Sequence, residues 1–330
     1  MKNVAINGFG RIGRLCFRNL IRKSEVRIVA INDLTDTKTL AHLLKRDTVH
    51  GLFDHEISHD ENSISVDGRK IKVFAKRNPT ELPWADLNID LVIECTGIFR
   101  DMEGMGKHLE AGAKKVLLSA PAKKGVKTIV LGVNENELNA DDVLISNASC
   151  TTNCLAPMVK VLNDNFGIEK GYMTTIHSYT SDQRLQDAPH SDLRRARAAA
   201  VNIIPTTTGA AKAVSLVLPE MTGKLDGFAV RIPTPTGSVT DLTVNLKKEV
   251  SLDEINKVME DASEGALKGI MSYSTEPLVS SDITGDKHSC IFDSGLTIAN
   301  GNLVKVVAWY DNEAGYAARL ADLAIKMVKL

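Results

Sequence analysis

A glycine-rich turn near the start of the chain constrains its fold more than any other feature. Residues 8–13 read Gly-Phe-Gly-Arg-Ile-Gly and follow the apolar segment 4–7, and residues 14–22 then have the apolar spacing of a buried helix face. A second apolar segment, 26–32, ends at Asp33, twenty positions after the last glycine of the turn. Strand, G-x-G-x-x-G, helix, strand and acidic residue in this order predict a dinucleotide-binding βαβ unit.

Each residue of this pattern has a physical reason. Gly8 would permit the tight turn, Gly10 would let the backbone approach a pyrophosphate, and Gly13 would let helix and strand pack closely. The helix N-terminus would receive the phosphate charge. Asp33 would accept hydrogen bonds from the adenosine ribose hydroxyls and repel a 2′-phosphate, so the pattern favours NAD over NADP as the cofactor.

Further apolar segments continue the predicted sheet. Segment 91–95 ends in Thr96 and Gly97, and segment 115–118 ends in Ser119. Apolar runs that end in small or polar residues are typical of parallel strands, whose carboxyl ends bind the ligand. Thr96, Gly97 and Ser119 are therefore candidates for the cofactor crevice, although each could simply terminate a strand.

Composition limits the class of protein. The chain has 330 residues, enough for two domains, with 43% hydrophobic residues, 25% charged residues and a net charge of −1. This balance favours neither nucleic acid nor a membrane surface as a partner, and no apolar run is long enough to span a bilayer. The first residues enter a strand at once, which leaves no room for a signal peptide. Five scattered cysteines indicate a reducing cytoplasm, and none has zinc-site spacing, so no metal is expected.

Residues 149–154 read Ser-Cys-Thr-Thr-Asn-Cys and lie between the strand-like segment 143–146 and a helix-like segment that begins near Thr151. Cys150 is thereby placed at a helix N-terminus, where backbone N–H groups favour a thiolate over a thiol. A thiolate at a strand-to-helix turn is a candidate nucleophile. A small buried cysteine is the alternative interpretation, and this feature alone leaves both open.

A candidate partner for this cysteine follows the strand 172–176. His177 stands at the end of that strand, where it could act as the base for Cys150 and as the proton donor to a developing oxyanion. Together with the helix N-terminus, it would lower the pKa of Cys150 below that of an ordinary thiol. On its own, His177 would more often be a hydrogen-bonded structural histidine.

The second half also carries residue types that recognise phosphate. Arginines cluster within 194–197, residues 205–209 read Pro-Thr-Thr-Thr-Gly, and Arg231 follows an apolar strand. Arginine forks and Thr-Gly turns suit a phosphate group. The arginine cluster could instead begin a solvated helix, and the threonine segment could be only a loop. The alternating segments 239–247 and 303–310 predict an antiparallel sheet behind this site.

Several segments together resemble the glyceraldehyde-3-phosphate dehydrogenase family: 7–14, 149–157, 193–197, 205–209 and 310–313. The cysteine segment is highly specific, the glycine turn is shared by many dehydrogenases, and the match runs along the whole chain. The resemblance implies an α/β fold with a Rossmann-type doubly wound parallel sheet and an α+β catalytic domain with a mostly antiparallel sheet. Residues 1–149 and 313–330 would form the NAD-binding domain, with the C-terminal helix returning to it, and residues 150–312 the catalytic domain.

The resemblance also implies a reaction: NAD-dependent oxidation of D-glyceraldehyde 3-phosphate to 1,3-bisphosphoglycerate, with inorganic phosphate, in glycolysis. Cys150 would attack the aldehyde to form a thiohemiacetal and then a thioester, while His177 activates the thiol and hydrogen-bonds the oxygen. The family is a cytoplasmic homotetramer in which the loop 178–200 packs near a neighbour's cofactor site. It is not expected to bind nucleic acid or membranes.

The family's binding residues carry over to matching positions of this sequence. The resemblance implies contacts to the substrate phosphate from Thr180 and Arg231. It implies contacts to the attacking phosphate and the substrate from Ser149, Thr151, Arg195, Thr208 and Gly209. It implies NAD contacts from Arg11, Ile12, Asp33, Arg77, Ser119 and Asn312, with Asn312 on the nicotinamide carboxamide.

Two positions depart from the family pattern. Ala314 stands where the family usually has tryptophan, which would loosen packing near the nicotinamide without removing a chemical group. Ala188 stands where NAD-specific members usually have leucine, which would weaken the exclusion of NADP. Because Asp33 is present, we still expect a preference for NAD.

Two other functions are compatible with parts of the pattern. Erythrose-4-phosphate dehydrogenase resembles this family in its fold and its Cys/His pair, but it should depend less on inorganic phosphate, and the arginine and threonine set favours the first activity. A binding role at RNA or a cell surface has no support from the near-zero net charge or from a basic stripe.

Overall fold

The computed structural model describes residues 1–123 and 125–330; Lys124, for which the sequence predicts a solvated turn, lies outside them. The chain divides into two compact units. The first comprises Met1–Ile129, Asn136–Ala148 and Ala317–Leu330, and the second comprises Val130–Glu135 and Ser149–Tyr316.

The elements of the first unit alternate strands with helices. In chain order they are β1 (Lys2–Asn7), α1 (Arg11–Leu20), β2 (Val26–Asn32), α2 (Thr37–Lys45), β3 (Arg46–Asp47), β4 (Gly51–Leu52), β5 (Ile57–Asp60), β6 (Ser63–Val66), β7 (Arg69–Phe74), β8 (Leu91–Glu94), α3 (Met102–Glu110), β9 (Lys115–Leu118), β10 (Lys127–Thr128) and β11 (Leu144–Ser146).

The second unit contains the longer strands. Its elements are α4 (Cys150–Phe166), β12 (Ile168–Ser178), β13 (Ile204–Thr207), α5 (Ala210–Val214), β14 (Leu225–Ile232), β15 (Ser238–Leu246), α6 (Leu252–Glu264), β16 (Met271–Ser274), β17 (Cys290–Asp293), β18 (Ile298–Asn300) and β19 (Leu303–Tyr310). The last helix, α7 (Ala314–Lys329), begins in the second unit and ends in the first.

The sheet of the first unit has the strand order β10-β11-β9-β8-β1-β2-β7-β6-β5. Every pair from β10 to β7 is parallel, and β6 and β5 add an antiparallel edge. The strands β1 and β8 are fully or nearly buried along most of their length, as parallel strands covered on both faces are. The predicted parallel sheet is present.

The glycine turn lies between β1 and α1, and two of its glycines are required by packing. Gly8 has a φ of +90°, and a Cβ there would lie 2.7 Å from the backbone nitrogen of Thr96. A Cβ on Gly13 would lie 2.2 Å from the carbonyl oxygen of Gly8. The helix α1 begins at Arg11, three residues before the start suggested by the apolar spacing, because the first turn of the helix is part of the glycine motif.

The core of the first unit surrounds Trp84, which is fully buried. Its ring meets the Phe74 ring edge-on with centroids 6.1 Å apart, and its indole N–H donates to His108 Nδ1 at 3.1 Å. His108 Nε2 therefore carries the proton and donates to the buried Glu94 carboxylate at 3.1 Å. A buried polar chain of this kind is fixed in place because every member is satisfied.

The sheet of the second unit has the order β13-β14-β12-β15-β19-β17-β16, with β18 also paired to β19. Five of its pairings are antiparallel, and two, β12 with β14 and β16 with β17, are parallel. It is the mostly antiparallel sheet expected from the sequence. Because β12 and β14 run in the same direction, both end on the same side of the sheet, and their last residues become neighbours.

Candidate active site

The second unit brings the predicted catalytic residues together through α4 and two parallel strands. Cys150 is the first residue of α4, where the Ser149 hydroxyl accepts a hydrogen bond from Thr152 N at 3.1 Å and caps the helix. His177 lies next to the last residue of β12 and pairs in register with Arg231 of β14. A helix start and two strand ends therefore converge on one point.

Cys150 and His177 are in contact. Cys150 Sγ lies 3.4 Å from His177 Nε2, and His177 Nδ1 lies 2.7 Å from the carbonyl oxygen of Ser178. The Ser178 carbonyl can only accept and therefore favours a proton on Nδ1, whereas the Arg231 guanidinium, whose Nη1 lies 2.9 Å from the same nitrogen, can only donate. With the proton on Nδ1, the unprotonated Nε2 faces the thiol and can remove its proton.

Arg231 sets the electrostatics of this pair. Its Nη1 lies 2.9 Å from His177 Nδ1 and donates to Ser178 O at 2.9 Å and to the Thr180 hydroxyl at 3.0 Å. Burial and then the Arg231 charge lower the pKa of His177 to about 3. The imidazole is therefore neutral at physiological pH.

The expected low pKa of Cys150 is not supported by this geometry. Burial raises the pKa of the Cys150 thiol, and the opposing influences of the Arg231 charge and of the N–H groups at the start of α4 are smaller. The prediction of a low pKa considered the helix N-terminus and His177. It left out the removal of water from around the Cys150 sulfur, which disfavours the thiolate. With the pKa of the thiol raised and that of the imidazole lowered, we expect the resting pair to be a neutral thiol beside a neutral imidazole.

Tyr310 supports this site and was missed by the sequence interpretation. Its hydroxyl lies 2.8 Å from the Thr151 hydroxyl and 2.7 Å from the Thr175 hydroxyl, and its ring meets the His177 ring edge-on at 6.0 Å between centroids. Thr151 is buried, and its hydroxyl is engaged by Tyr310. The only signal in the sequence was the position of Tyr310 at the end of β19, just before Asp311.

The predicted phosphate residues form a second group beside this pair. The Thr180 hydroxyl donates to an oxygen of Asp182, and Arg195 Nη1 donates to the other oxygen at 2.6 Å. Arg195 Nε donates to the Thr206 hydroxyl at 2.9 Å, and Nη2 donates to the carbonyl oxygen of Thr207 at 3.2 Å. Through Thr180, this group is connected to Arg231.

Two other predicted residues lie at the edge of this group. Thr208 and Gly209 directly follow the carbonyl that Arg195 binds, and the Thr208 hydroxyl accepts from Ala210 N at 3.2 Å at the start of α5. Among residues 1–123 and 125–330, no hydrogen bond joins Thr208 to Arg195 or Arg231. Their phosphate roles remain predictions.

In the first unit, the glycine turn has the form that a dinucleotide requires. A Cβ on Gly10 would meet nothing within 4 Å in the described chain, beside a helix start that has no side-chain cap. The Asp33 carboxylate accepts from Phe9 N at 2.7 Å and from Thr35 N at 3.0 Å, which holds it at the end of β2. The uncapped N–H groups and a fixed carboxylate fit a pyrophosphate and a ribose diol.

Glu94, another residue missed at the sequence level, organises the crevice residues of β8 and β9. Its buried carboxylate accepts from Thr96 N at 2.7 Å, from the Thr96 hydroxyl and from the Asn7 amide. Gly97 follows with a φ of +71°, and Ser119 N donates to the Glu94 carbonyl at 2.9 Å. Thr96 and Ser119 therefore both contact Glu94, through its carboxylate and its backbone carbonyl, and Gly97 directly follows Thr96.

The remaining predicted cofactor residues differ in how much the structure restrains them. The Arg11 guanidinium donates from Nη1 and Nη2 to the two carboxylate oxygens of Asp47, at 2.8 and 3.2 Å. Ile12 is half-buried, and Arg77 is exposed. In the second unit, Asn312 Oδ1 accepts from the Ser238 hydroxyl at 2.9 Å, which orients its amide group.

Comparisons with known proteins agree with this geometry. Residues 2–102 match the family model described as the glyceraldehyde 3-phosphate dehydrogenase NAD binding domain, and residues 149–312 match the one described as its C-terminal domain. The chain belongs to the glyceraldehyde-3-phosphate dehydrogenase family. It is an NAD-dependent oxidoreductase with the predicted Rossmann-type domain and catalytic domain.

Similar curated proteins extend over the full length of the chain. The glyceraldehyde-3-phosphate dehydrogenase of Thermotoga maritima is 60% identical and covers 100% of both chains. Glyceraldehyde-3-phosphate dehydrogenase 2 of Streptomyces avermitilis is 58% identical over 98% of this chain and 97% of its own. Glyceraldehyde-3-phosphate dehydrogenase 1 of Bacillus subtilis is 56% identical over 99% and 98%. The family predicted from the sequence is confirmed.

The described residues lack both a metal-binding cluster and a membrane-spanning helix. Residues 1–123 and 125–330 contain no group of three or more His, Cys, Asp and Glu side chains that could hold a metal ion. No helix in the same part of the chain is long and apolar enough to cross a bilayer.

Proposed function

We propose that this chain oxidises D-glyceraldehyde 3-phosphate to 1,3-bisphosphoglycerate in glycolysis, with inorganic phosphate as the second substrate and NAD as the hydride acceptor. The observation that carries the proposal is the contact of 3.4 Å between Cys150 Sγ and His177 Nε2, next to the arginine Arg231. A nucleophile, its base and a phosphate-binding cation are what this reaction needs in one place.

We assign binding of the substrate's phosphate to the residues that were predicted to recognise phosphate. The guanidinium of Arg231 has a buried Nε with no hydrogen-bond partner among the described residues, a donor that a phosphate oxygen would satisfy. Arg195 and Thr180 lie on the same connected set of contacts. Arginine forks suit a phosphate because two N–H groups can bind two oxygens.

The first chemical step is attack of Cys150 on the aldehyde carbon. His177 Nε2 accepts the thiol proton as the carbon–sulfur bond forms and returns it to the carbonyl oxygen, which gives the thiohemiacetal. Because the thiol and the imidazole are both neutral before attack, the proton moves together with bond formation, and the buried site never holds an isolated thiolate.

Oxidation and phosphate attack complete the reaction. NAD supplies the hydride acceptor when it is bound. His177 takes the hydroxyl proton of the thiohemiacetal as hydride leaves the carbon, which gives a thioester on Cys150. Inorganic phosphate attacks the thioester, the carbon–sulfur bond breaks, and His177 returns its proton to the released sulfur. The balance is one aldehyde, one NAD and one phosphate converted to one acyl phosphate, one NADH and one proton.

The domain assignment and the cofactor preference also stand as proposals. Residues 1–149 with 313–330 would bind NAD, and 150–312 would carry catalysis; the two compact units have similar bounds. The fixed carboxylate of Asp33 supports a preference for NAD over NADP, since it would repel a 2′-phosphate. The cytoplasm is the proposed location.

We also propose a homotetramer. Several large apolar side chains on the strands of the second unit are exposed, among them Tyr172 (75%), Phe228 (49%) and Ile298 (57%). Large apolar side chains exposed on the strands of a sheet are typical of a surface that another chain covers. A further copy of this chain is the proposed partner.

The test is NADH formation from glyceraldehyde 3-phosphate, measured with inorganic phosphate present and then omitted. The proposal expects steady turnover with phosphate and only a burst of about one NADH per site without it, because the thioester then accumulates. Equal steady rates in both conditions, or faster turnover of erythrose 4-phosphate, would contradict it.

A further inference from the structure

Asp182 lies among the residues that were predicted to bind phosphate. Neither the sequence pattern nor the reaction requires an anion there. Its carboxylate binds the Thr180 hydroxyl through one oxygen and Arg195 Nη1 at 2.6 Å through the other. Thr180 in turn accepts from Arg231 Nη1 at 3.0 Å. Two residues predicted to bind phosphate, Thr180 and Arg195, thus contact one carboxylate, and Arg231 is connected to it through Thr180.

Thr180 shows that this arrangement is incompatible with simple phosphate binding. A hydroxyl has one hydrogen to donate. That hydrogen is given to Asp182, and the oxygen accepts from Arg231. The backbone N–H of Thr180 is also engaged, by Gln183 Oε1 at 3.2 Å. Thr180 can therefore donate to a substrate phosphate only after Asp182 has released its hydroxyl.

Arg195 is restrained in the same way. Its Nε and Nη2 bind Thr206 and the carbonyl oxygen of Thr207, and its Nη1 binds Asp182. The two neutral partners fix the plane of the guanidinium, and Asp182 supplies the charge at hydrogen-bond distance, while the Asp192 carboxylate lies further away, 3.8 Å from Nε. A substrate phosphate would supply the same charge, so the carboxylate and the phosphate compete for one cation.

Charge and exposure both suit Asp182 to this competition. Burial by itself would raise the pKa of Asp182, but the Thr180 hydroxyl and the charges of Arg231 and Arg195 outweigh it and lower that pKa, so the carboxyl group is ionised near neutral pH. The side chain is 42% exposed, which leaves it room to turn toward solvent when an anion arrives.

We propose that Asp182 is an internal anion that takes the place of the substrate's phosphate: its carboxylate holds Thr180 and Arg195 in the substrate-free chain and must release them when the phosphate binds. The proposal rests on the proposed function, because it assumes a phosphorylated aldehyde. Asp182 is thereby a specificity-determining residue that weakens phosphate binding and keeps its donors in position between turnovers.

The test is the variant Asp182→Asn, whose amide oxygen can still accept from Thr180 but which carries no charge. We expect KM for glyceraldehyde 3-phosphate to fall about tenfold, because one repulsive charge near the phosphate is removed. The inhibition constant of sulfate should fall by a similar factor. KM for unphosphorylated D-glyceraldehyde should not change.

Asp187→Asn is the matched control. Asp187 lies in the same loop and accepts a hydrogen bond from Arg197 Nε at 2.8 Å. Arg197 is not one of the residues predicted to bind phosphate. The Asp187→Asn variant removes the same charge at a nearby exposed position. It should therefore leave both KM values and the inhibition constant of sulfate unaltered. A fall in KM with both variants would mean a general charge effect and would overturn the proposal.

A rise in KM for glyceraldehyde 3-phosphate in Asp182→Asn would overturn the proposal, since Asp182 would then support phosphate binding by positioning its residues. An unchanged KM would also overturn it, since Asp182 would then have no effect on phosphate binding. If that variant does not fold, Asp182→Ser, which keeps a hydroxyl acceptor without the charge, gives the same comparison. Failure of the proposed function is separate: it would appear in the unmodified chain as the absence of phosphate-dependent NADH formation.

Discussion

At the scale of single residues, Cys150 is the proposed nucleophile, and its removal gives the simplest prediction. We expect Cys150→Ser to lower kcat by at least about a thousandfold, because a serine hydroxyl beside a neutral imidazole is a much weaker nucleophile. NADH formation measures the loss. NAD affinity, measured by titration calorimetry, should be unchanged, since the cofactor residues are untouched.

Cys154→Ser is the control for that variant. Cys154 lies one helical turn further along α4, fully buried, with its sulfur 3.9 Å from the carbonyl oxygen of Ala308. The serine variant should keep most of the activity and lose about 1 kcal/mol of stability at most. Loss of activity in this variant equal to that of Cys150→Ser would show that the assay reports folding rather than catalysis.

The pH dependence of Cys150 alkylation follows from the charges around it. Thiolate forms as the pH rises through the thiol pKa, and burial raises that pKa, so alkylation by iodoacetamide in the substrate-free chain should accelerate mainly above the range of an ordinary thiol. The Arg231 charge opposes this shift. Arg231→Met should therefore move the rate profile to still higher pH.

His177→Asn separates this account from the thiolate expectation. Replacing His177 removes the general base, so we expect kcat to fall by about two to four orders of magnitude. A neutral His177 contributes no charge to the resting pair, so the pH profile of Cys150 alkylation should move little. A rate profile centred at acidic pH that shifts upward in this variant would show an ion pair instead of two neutral groups.

At the scale of elements, the glycine turn between β1 and α1 separates folding from binding. Gly13→Ala places a Cβ 2.2 Å from a carbonyl oxygen, whereas Gly10→Ala meets nothing within 4 Å. We expect Gly13→Ala to lower the free energy of unfolding by about 3 kcal/mol or more. Gly10→Ala should fold normally and lose NAD affinity at least about tenfold, because its methyl group would meet the pyrophosphate.

Thermal unfolding and calorimetric titration with NAD distinguish the two glycines. Gly106→Ala provides a third comparison, since a Cβ there also meets nothing within 4 Å but lies inside α3, away from the glycine turn. It should keep NAD affinity and be neutral or slightly stabilising. Normal NAD binding by Gly10→Ala would remove the turn from the cofactor site.

The first residues of two helices show how well the sequence pattern predicts where a helix begins. The helix after Ser149 was expected near Thr151 and begins at Cys150, because the serine caps it. The helix after the glycine turn begins at Arg11, where the apolar spacing had no signal. Spacing locates the buried face of a helix, whereas its first residue depends on backbone hydrogen bonds at the cap.

At the scale of the whole molecule, the exposed sheet face predicts assembly. Analytical ultracentrifugation should give four times the chain mass of 35.8 kDa. The double variant Tyr172→Glu with Phe228→Glu should shift the protein to smaller species at micromolar concentration, because two buried charges oppose association. Leu252→Glu, at another exposed apolar position, serves as the control and should remain assembled. A monomeric parent protein would contradict the prediction.

The sequence by itself determined the family and the cofactor class, because both rest on residue types at fixed short spacings, and through the family resemblance it predicted the pair of Cys150 and His177. Only the tertiary structure decided how these residues work. It buried His177 and placed Arg231 in register with it, from a strand position 54 residues away in sequence, and burial followed by the Arg231 charge lowers the pKa of the histidine. It also added Tyr310, Glu94 and Asp182, whose roles come from partners that the fold brings to them. Burial and charge depend on everything packed around a group, and no local pattern contains that information.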